Sequence, residues 1–472
     1  MIKNISIAFC LLFCEVLMLN AQVKLPFVIN DNMVLQQQTN VALWGKAVPN
    51  KTVVVKTSWN NKEYTVKVQP DSIWRIKVST PTASYKAYSI SFTCETRKTI
   101  NNVLIGEVWL CGGQSNMYMK MNGFSNQPVE GSFNEILNSE NNYLRCYTSE
   151  VTRNVKLQYD CKGAWATAGP NSTGNFSATA YYYGKMLQNI LHIPIGLVSC
   201  SVGGSGIETW MSPKALTPFK DKIIPLTPED DKKNNMVPTV FYNGMLNAIA
   251  GFGIRGAIWY QGEANKFNPK EYIQLFAAMH KDWIENWKIG TFPIYFCQLA
   301  PYEYGANVNC AFMREAQSFI ANNQPNTAMA VLSDTGEENC IHPSNKKVAG
   351  ERLAVIALEK NYGYNKIPCQ SPEYLSVEFK EERAFLKFKN APLGTTPYLK
   401  EFDGFELAGA YRKFYPAKAI TDKAGFLSVS SEQVKEPIAV RYGFKNYFKG
   451  NLFGTNGLPV SSFRSDNWDD VQ

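Results

Sequence analysis

The rhythm of apolar and polar positions changes twice along the chain. Between Leu25 and about Leu104, apolar residues alternate with polar ones in short runs: Val41 to Trp44, Thr52 to Thr57, Tyr64 to Val68, Trp74 to Val78 and Tyr88 to Phe92. Turn formers such as Pro49-Asn50 and Asn60-Asn61 separate these runs, the cadence of a small antiparallel sandwich. From Ile105 the runs become continuously apolar, at Glu107 to Cys111, Ile195 to Cys200, Gly256 to Tyr260, Ile294 to Leu299 and Ala328 to Leu332. Helical patterns lie between or after them, at Ala178 to Leu191, Tyr242 to Ile249, Lys270 to Trp287, Met313 to Asn322 and Asn345 to Tyr362. Strands without alternation are covered on both faces, so this part predicts a parallel sheet in a three-layer α/β/α unit. Past Ile367 the short alternating runs return at Leu375 to Phe379, Ala384 to Phe388, Phe426 to Ser430 and Ile438 to Tyr442. The pattern predicts three regions: a β-sandwich-like one over 22–104, the α/β unit over 105–366, and a β-rich one over 367–472.

Ligands of open α/β sheets collect beyond the carboxyl ends of the strands, and one such end carries Ile105 to Met117, IGEVWLCGGQSNM. Gly112 and Gly113 lack a Cβ, so the backbone can turn sharply there and present Ser115 at a strand-to-helix junction. A turn followed by a capping serine has the same local signature, so the assignment needs support from elsewhere in the chain.

Composition narrows the choice. The 472 residues carry 48 Lys+Arg against 40 Asp+Glu, a net +8, with the basic residues scattered rather than in a stripe, which argues against nucleic acid as a partner. Residues 1–21 have the form of an export signal, with Lys3, an apolar Ile5 to Leu19 and Ala21 before the cut. The expectation is a cleaved, exported protein, periplasmic or extracellular. No later run reaches the ~18 apolar residues that span a bilayer. Nine of the 11 cysteines lie beyond the signal. The odd number leaves at least one thiol free and allows some of the others to pair in an oxidising compartment; without a C-x-x-C pair most read as small buried hydrophobes, and no metal or cofactor is called for.

Three histidines are available for acid–base work. His192 ends a helical pattern and His280 lies within one, so both read as structural. His342 falls in the loop Glu338-Asn339-Cys340-Ile341-His342-Pro343, between the last sheet strand and the following helix. An imidazole there can take the proton of a serine hydroxyl and return it to a leaving group. The loop Ser201 to Gly206, rich in glycine and directly after a strand, can offer backbone N–H groups to an oxyanion. A third loop, Trp259-Tyr260-Gln261-Gly262-Glu263-Ala264-Asn265, adds two amides and a carboxylate. Gln261 or Asn265 can donate to the oxyanion and Glu263 can steady an imidazolium.

Taken together, Gly113 to Met117, the Gly-Gly-Ser-Gly-Ile-Glu-Thr-Trp segment ending at Trp210, Trp259 to Asn265 and Ile341-His342-Pro343-x-x-Lys346 resemble the sialate O-acetylesterase family of the SGNH hydrolases. Phe27 to Gln36 and Gly450 to Asn467 extend the resemblance over nearly the whole chain beyond the signal. It implies an SGNH-hydrolase domain that removes acetyl groups from sialic acids, with Ser115 as nucleophile, His342 as base, and Gly204 with Gln261 as the oxyanion hole. Other acetylated glycans such as xylan are the alternative substrate, and a non-catalytic glycan-binding protein is the alternative class. Arg255 and Arg314 are candidates to pair with a sialic acid carboxylate.

One position departs from the pattern. SGNH enzymes commonly carry Asp three residues before the histidine, and here that residue is Asn339. The orienting group is then a backbone carbonyl, Glu263, or an acid near the histidine loop such as Asp334 or Glu338; related carbohydrate acetylesterases favour Glu263.

Overall fold

The computed structural model describes residues 23–470 except Lys232, Leu399 and Ala424; the expected export signal lies outside the described residues. The organising element is an 18-residue strand, β1 (Thr96–Gly113), whose last eleven residues are all buried. Its first part pairs antiparallel with the strand Ser84–Cys94. Its second part lies in the middle of a seven-strand path. The other strands of that path are β2 (Asn141–Ser149), β3 (Gly163–Ala168), β4 (Ile195–Ser201), β5 (Gly256–Tyr260), β6 (Ile294–Cys297) and β7 (Thr327–Ala330). Their order is β7-β6-β5-β1-β4-β2-β3. All neighbours are parallel except β3, which runs antiparallel to β2 at the edge. The sheet is therefore mixed, and residue 105 lies inside a continuous strand.

Alternate residues of the central strands feed two separate cores, as a period of two requires. Val108, Leu110, Trp259 and Phe296 join one core with α3 (Pro269–Trp287) and α4 (Ala311–Asn323). Trp109, Cys111, Ile258 and Tyr295 join the other with α2 (Ala178–Leu191) and α5 (Lys346–Tyr362). Helix ends follow capping chemistry: Ser177 Oγ accepts from Ala180 N–H and Asn345 Oδ1 from Val348 N–H, while Gly363 closes α5 in the left-handed conformation. The helical pattern at 242–249 forms a π-helical turn, Tyr242–Leu246, and then a short α-turn, Asn247–Ile249. Gly244 packs there so closely on Thr152 O that a Cβ would sit 2.2 Å from it.

The N-terminal strands share the first core, through Val53, Val55, Trp74 and Phe92. The C-terminal region has a core of its own, to which Ala384, Leu386, Leu427 and Val429 come from one four-stranded antiparallel sheet and Leu407, Val440, Tyr442 and Phe463 from another. The nine described cysteines are free thiols, all buried except the half-buried Cys340. No helix among the described residues is long and apolar enough to cross a membrane.

Candidate active site

The carboxyl ends of three adjacent strands finish level with one another. Gly113 pairs with Ser201 on one side and with Tyr260 on the other, so the loops that follow β1, β4 and β5 leave the sheet together. Gly113 has φ +134°, and a Cβ on it would lie 2.2 Å from Tyr260 O. Only glycine fits that combination of conformation and contact. Past it, Gln114 N–H donates to Tyr260 O at 2.9 Å and Val202 N–H to Gly113 O at 3.1 Å. Ser115 opens the short helix α1 (Ser115–Tyr118) and is partly exposed.

Asn116, the next residue, ties three loops together in the buried floor of the site. Its Nδ2 donates to Glu263 Oε1 at 2.6 Å and to Ile341 O at 3.1 Å, and its Oδ1 accepts from Lys346 Nζ at 2.5 Å. The neighbour of Ser115 is thus bonded to the neighbour of His342. Among the described residues Ser115 and His342 make no direct hydrogen bond; contacts of this kind often close only once substrate is bound. Burial disfavours both charges in the floor: Glu263 is pushed up from the usual carboxylate range, and Lys346 is lowered to about 8, chiefly by desolvation.

His342 Nδ1 lies 2.6 Å from Gln127 Oε1. With the carbonyl oxygen accepting, Nδ1 carries the proton and Nε2 keeps its lone pair, the tautomer a general base needs. The Phe124 ring meets the imidazole edge-on, 5.1 Å between centroids, and the Gln127 turn is closed by reciprocal Phe124–Gln127 backbone bonds of 2.9 and 3.0 Å. Burial, and then the nearby Lys346 charge, lower the imidazole to about 4, so it is neutral at physiological pH.

The other candidate orienting groups have different surroundings. Glu263 is bonded to Asn116. Asp334 is held by both amino groups of Arg352, each at 2.7 Å. Asn339 and Glu338 are exposed. The side-chain amide of Gln261 donates to Ser205 O at 3.2 Å and Asn265 Oδ1 at 2.7 Å, which uses both its hydrogens to brace two loops against each other. Asn265 Nδ2 in turn donates to both oxygens of Glu208. Neither amide is free for an oxyanion.

Gly203 and Gly204 are better placed for that role. The Gly203 position abuts Ser115, where an added Cβ would be 3.7 Å from the serine Cβ. Asn235 Nδ2 donates to Gly203 O at 2.8 Å. Since C=O and N–H point opposite ways across a trans peptide, this bond turns the Gly204 N–H away from Asn235. The N–H groups of Gly204 and Ser115 have no protein acceptor among the described residues. Asn235 is itself held by Arg153 Nη1 at 2.7 Å, and Arg153 pairs with Asp231.

A profile described as carbohydrate esterase, sialic acid-specific acetylesterase, matches residues 105–359. The chain belongs to this family of carbohydrate esterases. Sialate O-acetylesterase of Mus musculus is 27% identical over 416 residues, covering 76% of this chain and 77% of the mouse protein. The Homo sapiens protein of the same name is 27% identical over 400 residues, covering 76% and 75%. A carbohydrate acetylesterase from Xanthomonas citri superposes with a TM-score of 0.85 at 31% identity, over 95% of this chain and 100% of that one. The chain is a carboxylic ester hydrolase.

Two groups of this esterase escape any sequence reading. Gln127 sits in Gly123-Phe-Ser-Asn-Gln-Pro128, which reads as a plain polar turn. Asn235 follows a lysine- and asparagine-rich loop with no motif. Two arginines lie elsewhere than a substrate carboxylate would need. Arg255 forms a bidentate pair with the fully buried Glu107, at 2.7 and 3.0 Å, which lies six residues before Gly113 on β1. Arg314 is fully buried and donates to Gly443 O, Lys445 O, Asn446 O and Ser462 Oγ of the C-terminal region. His280 is buried with Nε2 on Phe292 O, and His192 caps the end of α2.

Proposed function

We propose that the enzyme hydrolyses O-acetyl esters of sialic acids by acyl transfer through Ser115. The Ser115 Oγ attacks the acetyl carbonyl while its proton passes to His342 Nε2. The oxyanion that forms accepts from the N–H groups of Ser115 and Gly204. Collapse of the tetrahedral intermediate breaks the bond to the sugar oxygen, which takes the proton back from His342. Water, activated by the same imidazole, then frees acetate from the acyl-serine. Glu263 acts in this scheme through Asn116, fixing the backbone on which Ser115 stands.

One observation carries the reading: the residue after Ser115 is bonded to the residue before His342, beside a glycine loop in which the Gly204 N–H has no protein acceptor among the described residues. The four relatives carrying the sialate O-acetylesterase name support the substrate. Acetate release from O-acetylated sialic acid, compared between the native enzyme and Ser115→Ala, tests it; equal release by both rules it out.

A second reading, acetylated uncharged glycans such as xylan, is favoured by the engagement of Arg255 and Arg314 away from any substrate carboxylate. Relative kcat/KM on acetylated sialic acid and acetylated xylo-oligosaccharides separates the two. The catalytic unit is a three-layer SGNH-hydrolase domain over 105–366 with β-sandwich-like regions on either side, supported by the two cores flanking the sheet and by the shared C-terminal core. The protein is exported to the periplasm or beyond, supported by the charged and then apolar start of the chain, and cell fractionation checks it.

A further inference from the structure

A cleft of about 420 Å³ opens next to the catalytic loops. Two contacts tie its walls to the site. Ala264 lines it, and the Ala264 N–H donates to Oε1 of Gln114, the residue before Ser115, at 3.2 Å. Met236 also lines it and directly follows Asn235, which is bonded to Gly203 O.

The walls and the floor of the cleft differ in chemistry. Ile223, Met236 and Phe267 stand around it with 84%, 37% and 63% of their surface exposed. Exposed apolar side chains are ordinary when scattered; three around one cleft whose walls are bonded to the loops carrying Ser115 and Gly203 mark a binding surface. Glu208 and Lys222 lie low in the cleft and the exposed Asp221 stands at its edge. Lys222 Nζ lies 2.8 Å from Glu271, 2.9 Å from Asp221 and 3.5 Å from Glu208. The ammonium is therefore engaged by three carboxylates of the protein itself. Lys222 is thus occupied, and although Lys266 Nζ lies over one face of the Phe267 ring, 4.6 Å from its centroid, three carboxylates against two ammoniums leave the local charge negative and unfavourable to a ligand carboxylate.

We propose that this cleft is a subsite for an uncharged sugar ring of the acetylated glycan, with Phe267 as its stacking wall. A pyranose has apolar C–H faces and a rim of hydroxyls. The C–H face suits the negative face of an aromatic ring, and the hydroxyls suit carboxylate acceptors with lone pairs to spare. A ligand carboxylate is kept outside the cleft. The inference rests on the esterase reading for the position of the ester and goes beyond it in naming what lies beside that ester.

The test uses two separate readouts. Binding of an O-acetylated xylo-oligosaccharide is measured by calorimetry on Ser115→Ala, which holds the substrate uncleaved, with and without Phe267→Ala. Turnover of 4-nitrophenyl acetate, too small to reach the cleft, is measured on Phe267→Ala with Ser115 intact. Loss of the stacking wall should weaken the oligosaccharide Kd about tenfold, the loss of one good aromatic contact, and leave 4-nitrophenyl acetate turnover unchanged. Asp221→Asn should lower KM for O-acetylated sialic acid and leave KM for the uncharged oligosaccharide where it was. No binding of the oligosaccharide to Ser115→Ala, an unchanged Kd on Phe267→Ala, or an equal loss on the small ester would each overturn the subsite. If no ester is turned over by the native enzyme while Phe267→Ala still weakens binding, the esterase reading fails and the subsite stands.

Discussion

His342 Nδ1 and Gln127 Oε1 lie 2.6 Å apart, and this contact fixes the ring of the candidate base. An amide oxygen orients the imidazole as a carboxylate would, but brings no charge to stabilise the imidazolium. Gln127→Ala should lower kcat about 100-fold with little change in KM, the lower end of what a positioned acid–base group contributes. Gln127→Glu should recover the orientation and add the charge. A neighbouring anion favours protonated histidine, so the acid limb of the pH profile should move upward in Gln127→Glu. Steady-state kinetics across pH on the two variants checks both.

The pH dependence of the native enzyme follows from the same ring. His342 must be neutral to accept the serine proton, and burial together with the Lys346 charge lowers it to about 4. Activity is therefore present above that value and lost as pH falls through it. The acid limb of kcat/KM, which reports the free enzyme, should lie well below the ordinary histidine value of about 6.5. A limb at or above that value would mean that the ring is solvated or paired with an anion.

Glu263 separates a structural role from a catalytic one. It is bonded to Asn116 and not to the imidazole, so Glu263→Gln should leave the acid limb in place. It should still lower kcat by loosening Ser115, and it should lower Tm, because Lys346 then stays buried without its nearby anion. Thermal unfolding and a pH profile on one variant read both effects; an upward or downward displacement of the limb would give Glu263 a direct hold on the ring.

Asn235 acts at one remove from the oxyanion. Its bond to Gly203 O sets the direction of the Gly204 N–H, and loss of a single oxyanion donor costs about 10²–10³ in kcat. Asn235→Ala, which misdirects the donor without deleting it, should reduce kcat about tenfold or more with KM nearly unchanged. Asn235→Asp, which cannot donate to the carbonyl, should be no better. A fall confined to KM would place Asn235 in substrate binding.

Much of this arrangement is legible along the chain, and the parts that are not have physical reasons. The runs ending at Cys111, Cys200 and Tyr260 announce buried parallel strands, and the helices at 178–191, 270–287 and 345–362 fall within about a residue of their observed limits. Strands β2 and β3 do not announce themselves. The former carries the buried Arg145, whose guanidinium is satisfied by Asn32 O, Asn102 and Asn142 O, contacts that no local pattern encodes. The change from sandwich to α/β rhythm at 105 is real in pattern, yet β1 runs straight through it, since one strand can pair with different partners along its length. At the site, Gly204 is visible because its left-handed turn favours glycine, and Ser115 and His342 because few residue types can serve as nucleophile or general base. Gln127, Asn235 and the bracing of Gln261 are not, because a side-chain amide serves equally well in a turn, a brace or a catalytic contact, and only the meeting of distant loops decides which.

The most direct test of the account is the mass of Ser115-containing peptides after rapid acid quenching of the enzyme during turnover of an activated acetyl ester. Acyl transfer through this serine predicts an acetyl group on Ser115, absent in Ser115→Ala, together with a fall in acetate release of several orders of magnitude. An unmodified Ser115 peptide, with Ser115→Ala releasing acetate as fast as the native enzyme, would contradict it.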